Sequence, residues 1–223
     1  MVIIVDILKK LKIRTKNIDL YKEAFTHSSY TNEHPEFPHY ERLEFLGDAV
    51  LELIMSDYLY NSSNLEEGKM TKTRSSYVCE NACATYAKDL NFHKYILLGT
   101  GEGEANDTIL ADVFEAFIGA LYLDKGFLYT QDLVLDIIVK YIDNNIEFLQ
   151  DYKSKLQELV QTVKESVIYE IIDEEGPSHN KTFTCQVKVN DIIMGVGTGH
   201  SKKQAEQEAA KEALKKEAKE INK

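Results

Sequence analysis

Glu41-Arg42-Leu43-Glu44-Phe45-Leu46-Gly47-Asp48-Ala49-Val50-Leu51 is the stretch on which both fold and chemistry turn. At about 100° per residue, Glu41, Glu44 and Asp48 fall within about 60° of one another, while Leu43, Leu46, Val50 and Ile54 take the opposite side. This spacing predicts an amphipathic helix with three acids in one stripe. Like charges three and four residues apart repel and weaken a helix, so the cluster is costly unless a cation offsets it. Glu52 continues the stripe and reads as an ordinary surface residue.

A second segment repeats the arrangement. In Ile109-Leu110-Ala111-Asp112-Val113-Phe114-Glu115-Ala116-Phe117-Ile118-Gly119, Asp112 and Glu115 share a face, and Phe114, Phe117, Ile118 and Leu121 point elsewhere, into a core. Two such helices facing one another offer the hard oxygen ligands that Mg²⁺ takes. Spacing alone leaves a second reading open, a solvated helix surface, which is the usual fate of Asp and Glu.

Outward from these helices, residues 1–149 show apolar residues recurring every three or four positions and almost no alternation, which predicts an all-α domain. Turn-forming clusters fall at 32–38, 61–68 and 99–107. After 150–151 the pattern changes. Residues 152–163 read as a helix with Leu156, Leu159, Val160 and Val163 on one face. Residues 167–172, 182–189 and 192–197 read as strands, separated by Gly176-Pro177 and Asn190-Asp191. A last helix starts at Ser201, a good N-cap, and turns Ala205, Ala209, Ala210, Ala213 and Leu214 toward the sheet. The expected architecture is an all-α domain over 1–149 followed by a small α+β domain, α-β-β-β-α, over 152–220.

Composition narrows the function. The net charge of −11 disfavours nucleic acid at face value, but Lys and Arg number 14 against 25 acids in residues 1–151 and 12 against 12 in 152–223. All the excess acid lies in the first part, which would meet phosphate only with metal ions between. Three cysteines, Cys79, Cys83 and Cys185, make neither a disulfide framework nor a second ligand pair for zinc, and fit a reduced, cytoplasmic compartment. Residues 1–11 lack the features of a signal peptide, and the apolar stretch at 113–123 is far short of the ~20 residues of a membrane span, so no membrane association is expected. The glycines at 99, 101 and 103 have no βαβ context, so no nucleotide cofactor is expected either.

Residues 41–51 resemble the signature of the ribonuclease III family, and 110–120 resemble its second acidic helix. Thr26-His27-Ser28-Ser29-Tyr30 matches a further family segment, and the C-terminal module is similar to a double-stranded RNA-binding domain. The resemblance covers nearly the whole chain in the family's order. It implies a homodimeric endonuclease, dependent on Mg²⁺ with Mn²⁺ able to substitute, that hydrolyses double-stranded RNA by metal-activated water. Products with 5′-phosphate and 3′-hydroxyl ends and short 3′ overhangs are implied, as is processing of ribosomal RNA precursors and structured messengers. The resemblance makes Glu44, Asp48, Asp112 and Glu115 the metal-binding catalytic carboxylates, Glu115 the most direct ligand, and leaves open whether one ion or two act. It places Glu41 and Glu67 in the same cleft, with Glu66 as the alternative to Glu67, and makes Phe45 the residue that plugs into the partner subunit.

Double-stranded RNA is read through its 2′-hydroxyls and phosphate spacing. By resemblance, Gln157 and Glu158 lie in a minor groove and the loop 176–181 makes a second contact through His179. Ser201, Lys202 and Lys203 then meet phosphate. Lysines at a helix N-terminus oppose the macrodipole, so their placement makes sense with an anion to bind. Two departures stand out: Glu206 occupies a position where many such modules carry a third lysine, and the segment 100–108 is shorter and more acidic than the family's loop. The competing reading is a catalytically inactive regulator that only binds duplexes. Its mark would be substitution among the acids, yet Glu41, Glu44, Asp48, Asp112 and Glu115 are all present.

Overall fold

The structure is a computed structural model that describes residues 3–146, 148–149, 152–162, 166–177 and 181–221; His179 and Val163 lie outside the described residues. The chain divides into two compact units, Met1–Leu149 and Gln150–Lys223.

The first unit is helical: α1 (Ile3–Lys10), α2 (Ile18–Ala24), α3 (Ser28–Glu33), α4 (Glu41–Ser62), α5 (Glu67–Val78), α6 (Glu80–Asp89), a 3₁₀ turn (Phe92–Lys94), α7 (Asp107–Lys125) and α8 (Phe127–Asp143). Helix α7 starts where the Asn106 side chain accepts a hydrogen bond from the Ile109 amide at 2.9 Å and stops at Gly126, whose φ of +78° ends the helix. Between these caps Phe114, Phe117, Ile118 and Leu121 are fully buried, as their spacing predicts. Phe117 meets Phe92 edge-on at 5.2 Å, and Phe92 meets Phe25 at 4.8 Å. Each buried ring of this kind contributes about 1.5–3 kcal/mol, so α7 is the axis on which the unit is built.

Helix α4 packs against α7 along Leu43, Val50, Leu51 and Ile54, all buried. The turn expected at 61–68 is narrower than that. The Ser62 and Ser63 hydroxyls donate back to the carbonyls of Tyr58 and Leu59 at 2.6 and 2.7 Å, so residues that read as loop formers complete the last turn of α4. Glu67 correspondingly opens α5 rather than sitting in a loop.

The second unit runs α9 (Tyr152–Thr162), β1 (Val167–Glu175), β2 (Thr182–Val189), β3 (Ile192–Gly199) and α10 (Lys202–Ile221), with the strands antiparallel in the order β1-β2-β3. Asn190 and Asp191 both adopt positive φ, 49° and 64°, as a tight two-residue hairpin requires. Strand β1 extends three residues beyond expectation. After a bulge between Ile171 and Asp173, Asp173, Glu174 and Glu175 pair with Thr184, Phe183 and Thr182, so ladder pairing overrides the low strand preference of acids. Likewise β3 continues to Gly199, which pairs with Phe183.

A Cβ on Gly197 would come within 2.2 Å of the Ala209 amide, so α10 lies on the bare backbone of β3, with Ala205, Ala209 and Ala213 buried beneath it. The Ser201 hydroxyl accepts from the Gln204 amide at 3.2 Å, the predicted N-cap. Leu156 and Val160 of α9 are buried, but Leu159, expected on the same face, is 38% exposed. Among the described residues of α9, Leu156 and Val160 enter the core and Tyr152 packs against it.

Candidate active site

The two acidic helices cross at two glycines. A Cβ on Gly47 of α4 would sit 1.8 Å from the Glu115 carbonyl oxygen and 2.9 Å from the Gly119 amide; one on Gly119 of α7 would sit 2.3 Å from the Leu43 carbonyl. No side chain fits in either direction, so the backbones touch. The residues flanking that contact, Glu44 and Asp48 on one helix and Asp112 and Glu115 on the other, are thereby drawn into one electrostatic neighbourhood.

Each half-buried acid shows the effect. Glu44 is pushed above its ordinary range by burial and by the charges of Asp112, Glu41 and Asp48. Asp112 is also pushed up, by burial and by Glu80 and Glu41, while the Tyr40 hydroxyl, donating to its Oδ2 at 3.1 Å, and the nearby His27 oppose the rise. Glu115 is the extreme case: burial, then Asp48, Glu44 and Asp112, raise it to about 8, against a hydrogen bond with Cys83. In the cation-free protein Glu115 therefore keeps its proton at neutral pH. Among the described residues no three such side chains have converged to ligand distance, so the four acids share a neighbourhood without forming a closed cage.

The donor set nevertheless suits a hard divalent cation. It consists of carboxylate oxygens, the Cys83 thiol beside it is held protonated by burial, and like-charge repulsion of this size is what a bound cation relieves. Nothing in the sequence ties three neighbours, Tyr40, Glu80 and Cys83, to the acids. Tyr40 stands four residues before Glu44, at helical spacing, but an aromatic in front of the acidic stretch reads as a core residue, and the other two come from α6, whose approach to α7 no local pattern announces.

The Ribonuclease-III-like family model matches residues 17–142, more than half of the chain, and the double-stranded RNA binding motif matches residues 152–217. The chain belongs to the ribonuclease III family. It is 51% identical to Ribonuclease 3 of Oceanobacillus iheyensis over 204 residues, spanning 87% of this chain and 90% of that protein. It is 50% identical to Ribonuclease 3 of Listeria monocytogenes over 211 residues, spanning 90% of this chain and 92% of that one. Among solved structures, the nuclease domain of ribonuclease III from Campylobacter jejuni is 35% identical, with a TM-score of 0.57 over 61% of this chain and 96% of that chain. That structure is described as flexible in a region involved in dimer formation.

The remaining acids expected in a ribonuclease III cleft are placed differently. Glu41 is exposed at the start of α4 and its charge reaches Glu44 and Asp112. Glu67 does not join the four within one chain. It accepts from the Thr71 hydroxyl at 3.1 Å and borders a groove of about 530 Å³ with Leu53, Ser56, Tyr60, Met70 and Arg74. Ser56 lies 12 residues from Glu44, about 18 Å along α4 at the helical rise, so within one chain Glu67 stands apart from the four acids. The alternative, Glu66, is the exposed N-cap of α5.

Phe45 is 83% exposed and is no core residue. Leu53 (56%) and Tyr60 (76%) lie within about 80° of it around α4, giving an exposed apolar stripe beside the acidic one. In the second unit Glu158 and Lys203 are exposed and Gln157 is half-buried on α9. Ser201 spends its oxygen on the helix cap, and Lys202 is paired with Glu174 at 3.2 Å.

Proposed function

We propose that this ribonuclease III family member cleaves double-stranded RNA at the α4–α7 crossing while its C-terminal module grips the duplex. The gathering of Glu44, Asp48, Asp112 and Glu115 around the Gly47–Gly119 contact carries this reading, because it builds an otherwise costly acid cluster where both family segments meet. The family is metal-dependent, and these four side chains are the ones that would hold Mg²⁺, with Mn²⁺ able to substitute. A divalent ion bound there supplies charge neutralisation at the phosphate and lowers the pKa of water.

The chain's own groups do the rest. Tyr40 fixes one oxygen of Asp112 by donating to it, and this hydrogen bond favours the charged form of the carboxylate. Glu115, raised to about 8, would have to give up its proton to hold a cation, so occupancy would depend on pH. Water gives up a proton to solvent as its oxygen bonds to phosphorus and the bond from phosphorus to the 3′ oxygen breaks; the leaving oxygen takes a proton back from solvent, so one water is added in all, giving a 5′-phosphate and a 3′-hydroxyl. Two copies paired through the Phe45 stripe would cut both strands and leave short 3′ overhangs. That pairing is supported by the exposure of Phe45, Leu53 and Tyr60. Processing of ribosomal RNA precursors and structured messengers in the cytoplasm follows as the physiological reading, in keeping with three unpaired cysteines.

A regulator that binds without cutting is disfavoured by the intact and electrostatically coupled acids. Incubation with a long duplex RNA and with either single strand tests the proposal. Short duplex products bearing 5′-phosphates, from the duplex alone, are expected; degradation of single strands as readily as of duplex would refute it.

A further inference from the structure

We propose that Glu174 is an internal competitor for the RNA backbone, holding Lys181 and Lys202 in ion pairs that a duplex phosphate must displace. The inference rests on the C-terminal module being a double-stranded RNA-binding domain and adds an affinity-setting residue to it.

Glu174 lies in the acidic end of β1. Its Oε2 accepts from Lys181 Nζ at 3.1 Å and its Oε1 lies 3.2 Å from Lys202 Nζ. Both ammonium groups also stand over the ring of Phe183, 6.0 and 5.7 Å from its centre, and Phe183 is the cross-strand neighbour of Glu174. One carboxylate thus ties the residue before β2 to the first residue of α10. An oxygen given to each of two ammonium groups is the same pattern that two non-bridging oxygens of a phosphate would present.

The placement explains how a lysine is tolerated at the N-terminus of α10 in the free protein. Its charge opposes the helix macrodipole, and Glu174 offsets the repulsion before any RNA arrives. The adjacent Lys203 makes no ion pair with the described residues, so the two neighbouring lysines differ: one is free and one is engaged. The engaged side chains remain reachable, with Lys202 60%, Lys181 41% and Glu174 36% exposed. Pairs this exposed exchange readily, so the contact weakens RNA binding without preventing it.

A double-mutant cycle on the full chain tests the clamp, with binding to a short perfect RNA duplex measured in EDTA so that nothing is cut. Glu174→Gln keeps the shape and removes the charge; it is expected to tighten binding about two- to fivefold, the scale of releasing an exposed ion pair. In a Lys181→Met/Lys202→Met background the same change is expected to do nothing. Glu170→Gln serves as the control, because Glu170 pairs with Lys188 on the same sheet at 2.8 Å and should leave affinity unchanged. Equal tightening in both lysine backgrounds, or by Glu170→Gln, would overturn the inference, since the duplex would then be sensing acidity in general. Weaker or unchanged binding by Glu174→Gln would overturn it too. A native chain that binds no duplex at all is a different result, and it removes the reading on which the inference stands.

Discussion

Gly47 meets the carbonyl of Glu115 backbone to backbone, across the contact that sets the spacing of the two acidic helices. The contact couples fold to chemistry, because anything that parts the helices also parts their carboxylates. Gly47→Ala places a methyl where the Glu115 carbonyl stands. We expect it to destabilise the nuclease domain by about 1–3 kcal/mol as an overpacked site does. Duplex cleavage should fall by about 100-fold, the penalty of a displacement near 1 Å. Thermal melting and cleavage rates read the two effects; a variant with native stability and native activity would show that the close approach is incidental.

Tyr40 and Asp112 are linked at 3.1 Å through a hydroxyl that a Tyr40→Phe change removes with little loss of packing. Asp112 then loses a donor that favours its charged form. The expected outcome is a requirement for about tenfold more divalent ion, the usual scale for losing a hydrogen bond behind a metal ligand, with activity restored at saturating ion. An unchanged ion titration would mean that Tyr40 only fills space.

Glu115 gives a pH signature of stability. In the folded, cation-free protein it holds its proton up to about 8, whereas the unfolded chain releases it near 4.5. Between those values the folded state binds more protons, so stability falls as pH rises through this window. Melting of the cation-free chain should therefore drop from pH 5 to pH 8.5, by about 2–4 °C for each kcal/mol of repulsion. Glu115→Gln should flatten the profile, and added Mg²⁺ should stabilise more at pH 8.5 than at pH 5. A wild-type profile that rises across this range would contradict the electrostatic description.

Phe45 is exposed enough that Phe45→Ala should leave the monomer's melting almost unchanged while shifting sedimentation from dimer to monomer. Nicks on one strand should then replace paired cuts. Dimers that persist in the variant would place the interface elsewhere.

The sequence carries the acids plainly, since their spacing fixes which side of each helix they share whatever lies opposite. It does not carry the glycine contact. Gly47 looks like a mild helix breaker until Glu115 and Gly119 are seen across from it, and nothing local says what a glycine faces. Leu159 and the acidic end of β1 were misread for a related reason. Exposure of Leu159 is decided by packing against α10, distant in sequence, and pairing at the end of β1 is decided by its register with β2, neither of which the local pattern states. The place of Glu67 at the head of α5, beside Ser56 and Tyr60, is likewise not carried by its local motif.

The measurement that bears most directly on the central claim is cleavage of a long, perfectly paired RNA in Mg²⁺ and in EDTA, by the native chain and by Glu115→Gln, with binding followed in parallel. The account predicts cutting that needs Mg²⁺ and is lost in the variant while binding persists. A native chain that binds the duplex in Mg²⁺ and never cuts it, or a Glu115→Gln variant that cuts as well as the native chain, would contradict it.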